Sequence, residues 1–291
     1  MSSSRPHGLL FGATGQIGAA LLPRLLAAGW QVTAVSRSKR TDAPGLSWVE
    51  GDLTGGVVVP VQPDVIFSCG PLDHFAHWLA HSRVQAGQVI AFGSTSVHAK
   101  QSSPDAEERA LAARLAAAEA LLQAQVPRRA GRVTLLRPTL VWGAGADRNV
   151  SRIAAMAWRA RGFVLPASAR GRRQPVHVED LALAAMGVLD NPACAGRSYD
   201  LPGGEILDYR QMVQRVLAAL PRRTPLVVAP DWLFTAVLRL AWRRGHLRSF
   251  NAATHARLEQ DLVFDAGPAH RDFGWSPRGF APTAAELGLA Q

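Results

Sequence analysis

The chain has 291 residues, of which 48% are hydrophobic, enough to bury a sizeable core. This length exceeds a typical single domain and suits one doubly wound α/β unit with a smaller second part. The net charge of +10 comes mostly from arginines. They are scattered along the chain without interleaved aromatic residues, so we expect no nucleic-acid binding. The two cysteines have neither the spacing of metal ligands nor that of a disulfide framework.

No stretch is long and apolar enough for a membrane span, and the first residues lack an apolar signal segment. We therefore expect a cytoplasmic protein. One helix-like segment carries His74, His77 and His81 on one face, but no carboxylate or cysteine from a second segment completes a ligand set. We expect no metal site; the segment is better interpreted as an exposed polar helix face.

The strongest motif lies near the start of the chain, where an apolar run from Leu9 to Phe11 precedes three regularly spaced glycines, Gly12, Gly15 and Gly18. The run has the length of a buried strand, and the residues after the glycines have helical spacing. Glycines permit a tight turn and close approach to a ligand, and the free N–H groups that begin a helix favour an anion. The motif predicts a pyrophosphate site; the alternative is a glycine-rich turn without a ligand.

The segment from Gly12 to Gly18 reads Gly-Ala-Thr-Gly-Gln-Ile-Gly. It resembles the extended and atypical short-chain dehydrogenase/reductases, the NAD(P)-dependent epimerase/dehydratase superfamily, and later segments continue the resemblance. Together with alternating strand and helix patterns, this implies an α/β fold with a Rossmann-type doubly wound parallel sheet and a smaller C-terminal substrate-binding part. The resemblance also implies cofactor contacts from Gly12, Thr14, Gly15, Gln16, Ile17 and Gly18.

The second predicted strand, Gln31 to Ser36, is followed by cationic and hydroxyl side chains rather than by an acid. NAD-preferring sites place an Asp or Glu here, which binds the ribose hydroxyls. Ser36, Arg37 and Ser38 instead suit a 2′-phosphate, which favours NADP, with NAD as the alternative. The alternative is that these residues form a solvated basic loop that binds no cofactor.

A third strand begins near Trp48 and is predicted to end in Asp52 and Leu53. An Asp-Leu pair at this place contacts the adenine in the family, so the resemblance implies that Asp52 and Leu53 do the same. An ordinary strand-end turn is an equally good interpretation of the pair.

The fifth strand, Gln88 to Phe92, is followed by Gly-Ser-Thr-Ser-Val-His. In extended members of the family this strand ends in a Ser or Thr that holds the substrate carbonyl, and Ser94 aligns with it. His98 replaces the tyrosine of the family's Val-Tyr-Gly. Ser94 is therefore our candidate catalytic and substrate-binding residue; the alternative is that its hydroxyl caps a turn.

The catalytic Tyr-x-x-x-Lys of the family occurs nowhere in this chain. In the family the lysine lowers the pKa of the phenol, which exchanges a proton with the substrate oxygen. The helix that should carry the pair resembles the family at Ala-Glu-x-Leu-Leu, and counting back from Glu119 places Leu111 and Leu115 at the tyrosine and lysine positions. The candidate substitutes for the missing pair are Arg114, His98, Lys100 and Glu108.

Two further segments match the family in the second half of the chain. In the first, Leu140 stands where sugar-nucleotide enzymes place a substrate-binding asparagine, which argues against a nucleotide-sugar substrate. In the second, Arg173 aligns with an arginine that lies against substrate phosphates, so the resemblance implies a phosphorylated or carboxylated substrate. A solvated loop is the alternative for Arg173, and His177 is interpreted as a structural residue.

The sequence predicts two parts that interleave along the chain. Residues 1–145 form an NADP-binding Rossmann core, to which 176–200 returns. Residues 146–175 and 201–291 form a substrate-binding or lid part.

Three segments raise the question of partners. Residues 231–248 are apolar and end in a cationic run, which favours a packed helix, with a membrane-surface element as the alternative. Two helices, about 72–86 and 105–125, are candidates for a homodimer interface, a point that the sequence leaves open.

The sequence supports two classes of function. The first is an NADP-dependent oxidoreductase or epimerase/dehydratase-like enzyme acting on a small, phosphorylated or nucleotide-sugar-like substrate, with an unidentified acid in place of the tyrosine. The second is a non-catalytic NADP(H)-binding sensor or scaffold, which the two leucines at 111 and 115 favour. The identity of the substrate is not determined by the sequence.

Overall fold

The structure, a computed structural model, describes residues 5–129, 131–147, 149–236 and 252–289. Its centre is a parallel sheet of seven strands in the order β11-β6-β5-β4-β1-β2-β3. The strands of the sheet are β1 (His7–Phe11), β2 (Gln31–Ser36), β3 (Leu46–Glu50), β4 (Val65–Ser68), β5 (Gln88–Phe92), β6 (Arg132–Pro138) and β11 (Ser198–Leu201). The strand order reverses between β1 and β4, and it is at such a point that doubly wound sheets bind ligands.

Helices cover both faces of this sheet, which confirms the Rossmann-type α/β fold. The helices are α1 (Gln16–Ala27), α2 (Leu72–His81), α3 (Ser96–Ala99), α4 (Ala106–Arg128), α5 (Val150–Ala160), α6 (Val178–Gly187), α7 (Tyr209–Ala218), α8 (Ala252–Glu259) and α9 (Gly267–Phe273), with a 3-10 turn at Pro192–Cys194. Residues 231–236 are also helical.

The core consists of two apolar layers, one on each face of the sheet. Successive side chains of a strand point to opposite faces, so Leu10 joins the cluster under α1 and α6, whereas Leu9 and Phe11 join the cluster under α2 and α4. Because both faces are covered, the central strands are apolar throughout rather than alternating with polar residues. This double burial fixes the carboxyl ends of the strands, where the predicted site residues lie.

Two predicted strands, Gln31–Ser36 and Gln88–Phe92, have the expected bounds. The third strand differs, because β3 ends at Glu50 and Asp52 lies in the following turn. There the Asp52 carboxylate accepts hydrogen bonds from the backbone and the hydroxyl of Thr54. The acid therefore shapes the turn rather than ending the strand.

Two predicted helices differ from the structure at their ends. The segment 72–86 is helical only to His81, because the extended Ser82 ends α2. The segment 105–125 begins one residue later, after Asp105, whose carboxylate accepts hydrogen bonds from two N–H groups of the first turn of α4. It then runs on to Arg128.

The remaining strands form three short pairs outside the main sheet. They are β7 (Val141–Trp142) with β10 (Val176–His177), β8 (Phe163–Pro166) with β13 (Leu226–Ala229), and β9 (Arg172–Arg173) with β12 (Leu207–Asp208). A third apolar cluster packs α5 against α7 and includes Trp142 and Phe280. The bounds of the proposed core and lid parts stay a prediction.

Within the described ranges, no helix is long and apolar enough to cross a membrane. Of the predicted segment 231–248, residues 231–236 are helical, with Trp232 72% exposed, whereas 237–248 lies outside the described residues. The helices at 72–81 and 106–128 pack against each other within the chain. Their use as a homodimer interface stays a prediction.

Candidate functional site

The glycine-rich turn joins the end of β1 to the start of α1, and two of its glycines are required by backbone packing. Gly12 has φ +74°, and a Cβ atom there would lie 2.7 Å from the carbonyl carbon of Cys69. At Gly18, a Cβ atom would lie 2.1 Å from the carbonyl oxygen of Gly12. Both positions therefore exclude any side chain, and they bring the start of α1 against the end of β1.

Gly15 differs from the other two glycines because its outer face is exposed. It is the N-cap of α1, with no side-chain hydrogen bond to the first turn and no acidic residue there. A methyl group added at Gly15 would meet the Gly12 carbonyl oxygen as its nearest atom, at 3.2 Å. The turn thus presents a helix N-terminus that suits an anion approaching past Gly15.

The other predicted residues of the turn occupy three kinds of environment. Thr14 is exposed, and Ile17 packs against the apolar cluster under α1. The Oε1 atom of Gln16 is buried and has no hydrogen-bond partner among the described residues. This oxygen accepts a hydrogen bond, so a ligand hydroxyl group, such as one of a nucleotide ribose, would satisfy it. The pyrophosphate of a dinucleotide fits the helix N-terminus instead.

The ends of β2 and β3 bring the predicted ribose and adenine residues together. Ser36 is buried, and its hydroxyl accepts a hydrogen bond from the Ser38 backbone at 3.3 Å. Arg37 is exposed and lies near enough to Asp52 to contribute to its lowered pKa, of which the Thr54 hydrogen bonds are the largest cause. An exposed guanidinium and two hydroxyl groups therefore flank the end of β2.

Two neighbouring side chains complete this end of the site. Leu53 packs against the cluster under α2. The guanidinium of Arg40 lies 5.2 Å from the ring centroid of Trp48, a cation–π contact. This contact holds Arg40 over β3.

Ser94 follows β5 at the carboxyl edge of the sheet. Its hydroxyl accepts a hydrogen bond from the Ser96 backbone at 3.2 Å, so it also shapes the turn into α3. A Cβ atom on the preceding Gly93 would lie 3.2 Å from Glu119 Oε1 and 3.7 Å from Arg137 Cγ. The residue that precedes Ser94 therefore lies against a charged pair.

That pair belongs to a cluster of four charged or titratable residues from different elements. Arg137, near the end of β6, donates two hydrogen bonds to Glu119 on α4, at 2.8 and 2.5 Å. Burial lowers the pKa of Arg137, but the contacts with Glu119 and Asp200 more than offset this and raise it. Its remaining terminal nitrogen, Nη1, lies 3.2 Å from His98 Nε2 and 3.7 Å from Asp200 Oδ1.

Apolar side chains stand at the helix positions where the family carries its catalytic pair. Leu115 is buried and Leu111 partly buried, both in the cluster under α4. The two tyrosines lie elsewhere: Tyr199 donates a 2.6 Å hydrogen bond to Asp272, and Tyr209 lies beside Arg173. Burial is the largest cause of the raised pKa of each phenol.

A second charged cluster lies at the start of α4. Glu108 pairs with Lys100 at 3.5 Å, accepts a hydrogen bond from the Ser103 hydroxyl, and contacts Arg257 of α8. Burial, and then the nearby Arg257, lower the pKa of Lys100. Two of the four candidate substitutes for the missing pair thus bind each other. A third, Arg114, pairs with Asp73 on the surface.

Arg173 is buried, and its guanidinium binds backbone carbonyl groups rather than open solvent. It donates to the oxygens of Arg172 and Gln260 at 2.8 and 2.7 Å, and also to that of Arg257. These contacts tie β9 to the residues around α8, and substrate binding by Arg173 stays a prediction. The solvated loop considered from the sequence is wrong, because Arg173 is only 5% exposed.

The neighbouring acid and histidine have structural contacts. His177 is 3% exposed, and its Nδ1 accepts a hydrogen bond from the Glu179 backbone at the start of α6. Asp180 accepts two hydrogen bonds from Arg278, one from the backbone and one from Nε. The pair joins α6 to the C-terminal segment.

Sequence reasoning missed the cluster around Arg137. Two signals could have revealed it: Arg137 is a charged residue inside the apolar run of β6, and Glu119 is an acid inside the alanine-rich helix α4. Both side chains were expected to be buried and so to need a partner.

No group of three or more metal-ligating side chains occurs in the described part of the chain. The rings of His77 and His81, on the predicted polar face, are in contact, with centroids 4.3 Å apart and an interplanar angle of 43°.

This fold, with its glycine turn at the first strand-to-helix crossover, defines a Rossmann-type protein. Residues 9–86 match the model of the NAD dependent epimerase/dehydratase family. The matched residues include the glycine turn and the strands β2, β3 and β4.

Two curated relatives are 2-alkyl-3-oxoalkanoate reductases. The protein from Stenotrophomonas maltophilia (strain K279a) is 29% identical over 153 residues, which cover 49% of this chain and 46% of that protein. The match thus spans about half the length of that relative. The protein from Shewanella oneidensis is 25% identical, covering 93% of this chain and 82% of that protein.

Among solved structures, the epimerase Mth375 from Methanothermobacter thermautotrophicus has the same fold, with a TM-score of 0.72. It is 15% identical, and the superposition covers 98% of this chain and 91% of that one.

Proposed function

We propose that this chain is an NADP-dependent oxidoreductase that reduces a carbonyl group. The observation that carries the proposal is the turn at Gly15, an exposed helix N-terminus with no side-chain cap and no acidic residue in its first turn. Such a turn at the switch point of a parallel sheet suits a dinucleotide pyrophosphate. Gly12, Thr14, Gly15, Gln16, Ile17 and Gly18 would hold this part of the cofactor.

NADP rather than NAD is favoured by the end of β2. Arg37 is exposed there, and Ser36 and Ser38 add hydroxyl groups. A 2′-phosphate would gain charge-assisted hydrogen bonds from these groups, whereas the carboxylate that binds the two hydroxyls of an NAD ribose is missing from this position. Asp52 and Leu53, in the turn after β3, would face the adenine.

Reduction is the reaction that we propose, because the two relatives named above are reductases of 3-oxo acids. A bound reduced nicotinamide supplies a hydride. Ser94, at the carboxyl end of β5, would donate a hydrogen bond to the carbonyl oxygen and so favour the charge that develops there. Leu140, in place of an asparagine, argues for an apolar rather than a sugar-nucleotide substrate.

The test mixes purified protein and NADPH with a panel of 2-alkyl-3-oxoalkanoates, keto-sugars, aldehydes and ketones. Oxidation of NADPH is measured as the loss of its absorbance. We expect oxidation with one class and a fall of about tenfold or more in kcat for Ser94→Ala. Ser82→Ala, at the opposite edge of the sheet, is the control and should retain full turnover. Unchanged turnover of Ser94→Ala would exclude its proposed role.

A second function, an NADP(H)-binding sensor or scaffold without turnover, is favoured by one observation. Leu111 and Leu115 fill the helix positions where the family has its proton donor. Tight NADPH binding with no oxidation across the panel would support this function over the first. The described residues do not lead us to propose membrane association. Sedimentation with anionic lipid vesicles at low salt would test whether the protein binds a membrane surface.

A further inference from the structure

We propose that His98 is the acid–base residue of this site and that it exchanges a proton at its Nδ1 atom. Asp200 is the positioning residue: it accepts a hydrogen bond from Nε2 when the imidazole ring is charged. The inference rests on the proposed carbonyl reduction and replaces the missing tyrosine. It is drawn from the position of His98 beside Ser94, from its contacts, and from the burial of its partners.

His98 is placed at the carboxyl edge of the sheet by a short and well-fixed turn. The turn begins at Ser94, and Thr95 binds back to the Pro138 carbonyl through both its backbone and its hydroxyl. His98 then lies on α3, with 44% of its side chain exposed. It is therefore close to the candidate carbonyl site and open to an incoming ligand.

The Nε2 atom of His98 lies between a donor and an acceptor. Arg137 Nη1 is 3.2 Å away, and Asp200 Oδ1 is 3.5 Å away. In the neutral ring Nε2 accepts from Arg137, so the proton is on Nδ1. In the charged ring Nε2 carries a proton and is directed to Asp200 Oδ1, a buried oxygen without a hydrogen-bond partner among the described residues.

Both partners are held by the surrounding structure. Arg137 is fixed by its two hydrogen bonds to Glu119 and stays charged, so it orients the ring without exchanging a proton. Asp200 lies on β11, next to β6. The ring of Phe264 lies near that of His98, with centroids 6.5 Å apart. These are the groups that face His98, and the described residues offer no partner to Nδ1.

The proton balance follows from this arrangement. A hydride supplied by a reduced nicotinamide would form a C–H bond at the carbonyl carbon, and the carbonyl oxygen would take the Nδ1 proton of charged His98. The products are an alcohol, the oxidised nicotinamide and a neutral ring whose remaining proton is on Nε2, facing Asp200. Solvent then returns a proton to Nδ1. Lys100 and Glu108 are less suited to this role because they bind each other.

Kinetics test the role of His98. With NADPH and the reactive compound of the panel, kcat should fall as the pH rises and the ring loses its charge. His98→Gln should lower kcat by about a hundredfold or more and remove this pH dependence. His81→Gln, at an exposed position, should behave as the wild type.

Asp200→Asn should lower kcat with little change in KM and alter the pH profile of kcat, since Nε2 loses its charged acceptor. Asp73→Asn, which alters a carboxylate paired with the exposed Arg114, should leave the profile unchanged. An unshifted profile for Asp200→Asn would overturn the positioning role.

A readout that needs no cofactor is the tautomer of the neutral ring, measured by long-range ¹H–¹⁵N NMR and assigned with His98→Gln. We expect the proton on Nδ1; a proton on Nε2 would overturn the proposed geometry. Full turnover of His98→Gln would overturn this inference alone. No NADPH oxidation by the wild type would overturn the proposed function, and this inference with it.

Discussion

Gly18 lies so close to Gly12 that a Cβ atom at position 18 would be 2.1 Å from the Gly12 carbonyl oxygen. The carbonyl is itself held in place, because Gly12 is packed against the backbone of Cys69. Of the three glycines in the turn, these two are needed for folding, whereas Gly15 has its outer face open. The two kinds of glycine should respond differently to mutation.

Gly18→Ala should destabilise the protein by about 3 kcal/mol, because a backbone clash cannot relax by moving a side chain. Gly15→Ala should change stability by less than about 1 kcal/mol, since φ is −82° there. It should nevertheless weaken NADPH binding by about tenfold or more, because the methyl group would stand where the pyrophosphate approaches. Urea unfolding measures the change in stability, and calorimetry measures NADPH affinity. Equal NADPH affinity of Gly15→Ala and wild type would contradict the proposed pyrophosphate site.

Cofactor preference should depend on Arg37. We expect NADPH to bind more tightly than NADH, and Arg37→Ala to weaken NADPH binding by about tenfold or more with little effect on NADH, the size of one charge-assisted hydrogen bond. Arg83→Ala, an exposed arginine between α2 and β5 at the other edge of the sheet, is the matched control. Equal affinity of the wild type for the two nucleotides in calorimetry would refute the interpretation of the end of β2.

The pair Glu119–Arg137 should matter for stability as well as for the site. Glu119→Gln leaves a buried guanidinium without its charged partner and should destabilise the protein by about 3 kcal/mol. Arg114→Gln removes an exposed pair and should change stability by less than about 0.5 kcal/mol. Urea unfolding of both variants provides the comparison, and similar small effects would mean that the buried pair contributes little.

Stability should fall in mild acid because of His177. Burial is the largest cause of its lowered pKa, and Arg278 lowers it further, against the opposing effect of Glu286. The folded state therefore binds its proton less readily than the unfolded chain. The stability that the neutral, buried His177 contributes is fully present above the ordinary histidine pKa of about 6.5. As the pH falls below this value, the free energy of unfolding decreases by up to about 1.4 kcal/mol per pH unit.

His177→Asn retains an acceptor for the start of α6 but has no titrating group. Its free energy of unfolding should therefore depend less on pH than that of the wild type between about pH 7.5 and about pH 5. His81→Gln should keep the wild-type dependence. Parallel pH dependences of His177→Asn and wild type would assign the acid sensitivity to other residues.

The sheet and the glycine turn could be predicted because their signals are local. Strand burial is visible as short apolar runs, and the need for glycine at position 12 comes from the turn itself. The environment of Arg173 could not be predicted in this way. Its carbonyl partners at 257 and 260 are far along the chain, so only the folded structure reveals that its guanidinium is already occupied.

The charged cluster beside Ser94 shows the same limit. Glu119, Arg137 and Asp200 lie on α4, β6 and β11, and no sequence spacing connects them. Their charges inside apolar segments indicated that partners were needed, but not which ones. The place of His98 among them depends on the order of strands in the sheet.

The position of β11 beside β6 has a consequence for biosynthesis. The outermost strand of the sheet ends only at Leu201, long after the first six strands have left the ribosome. Until then β6 has an unpaired edge, a template for pairing with other chains. The apolar face of α1, including Leu21 and Leu25, also lacks its cover from α6. We therefore expect that residues 1–145 alone are not an autonomous folding unit, and that a chain truncated at residue 145 aggregates rather than folds.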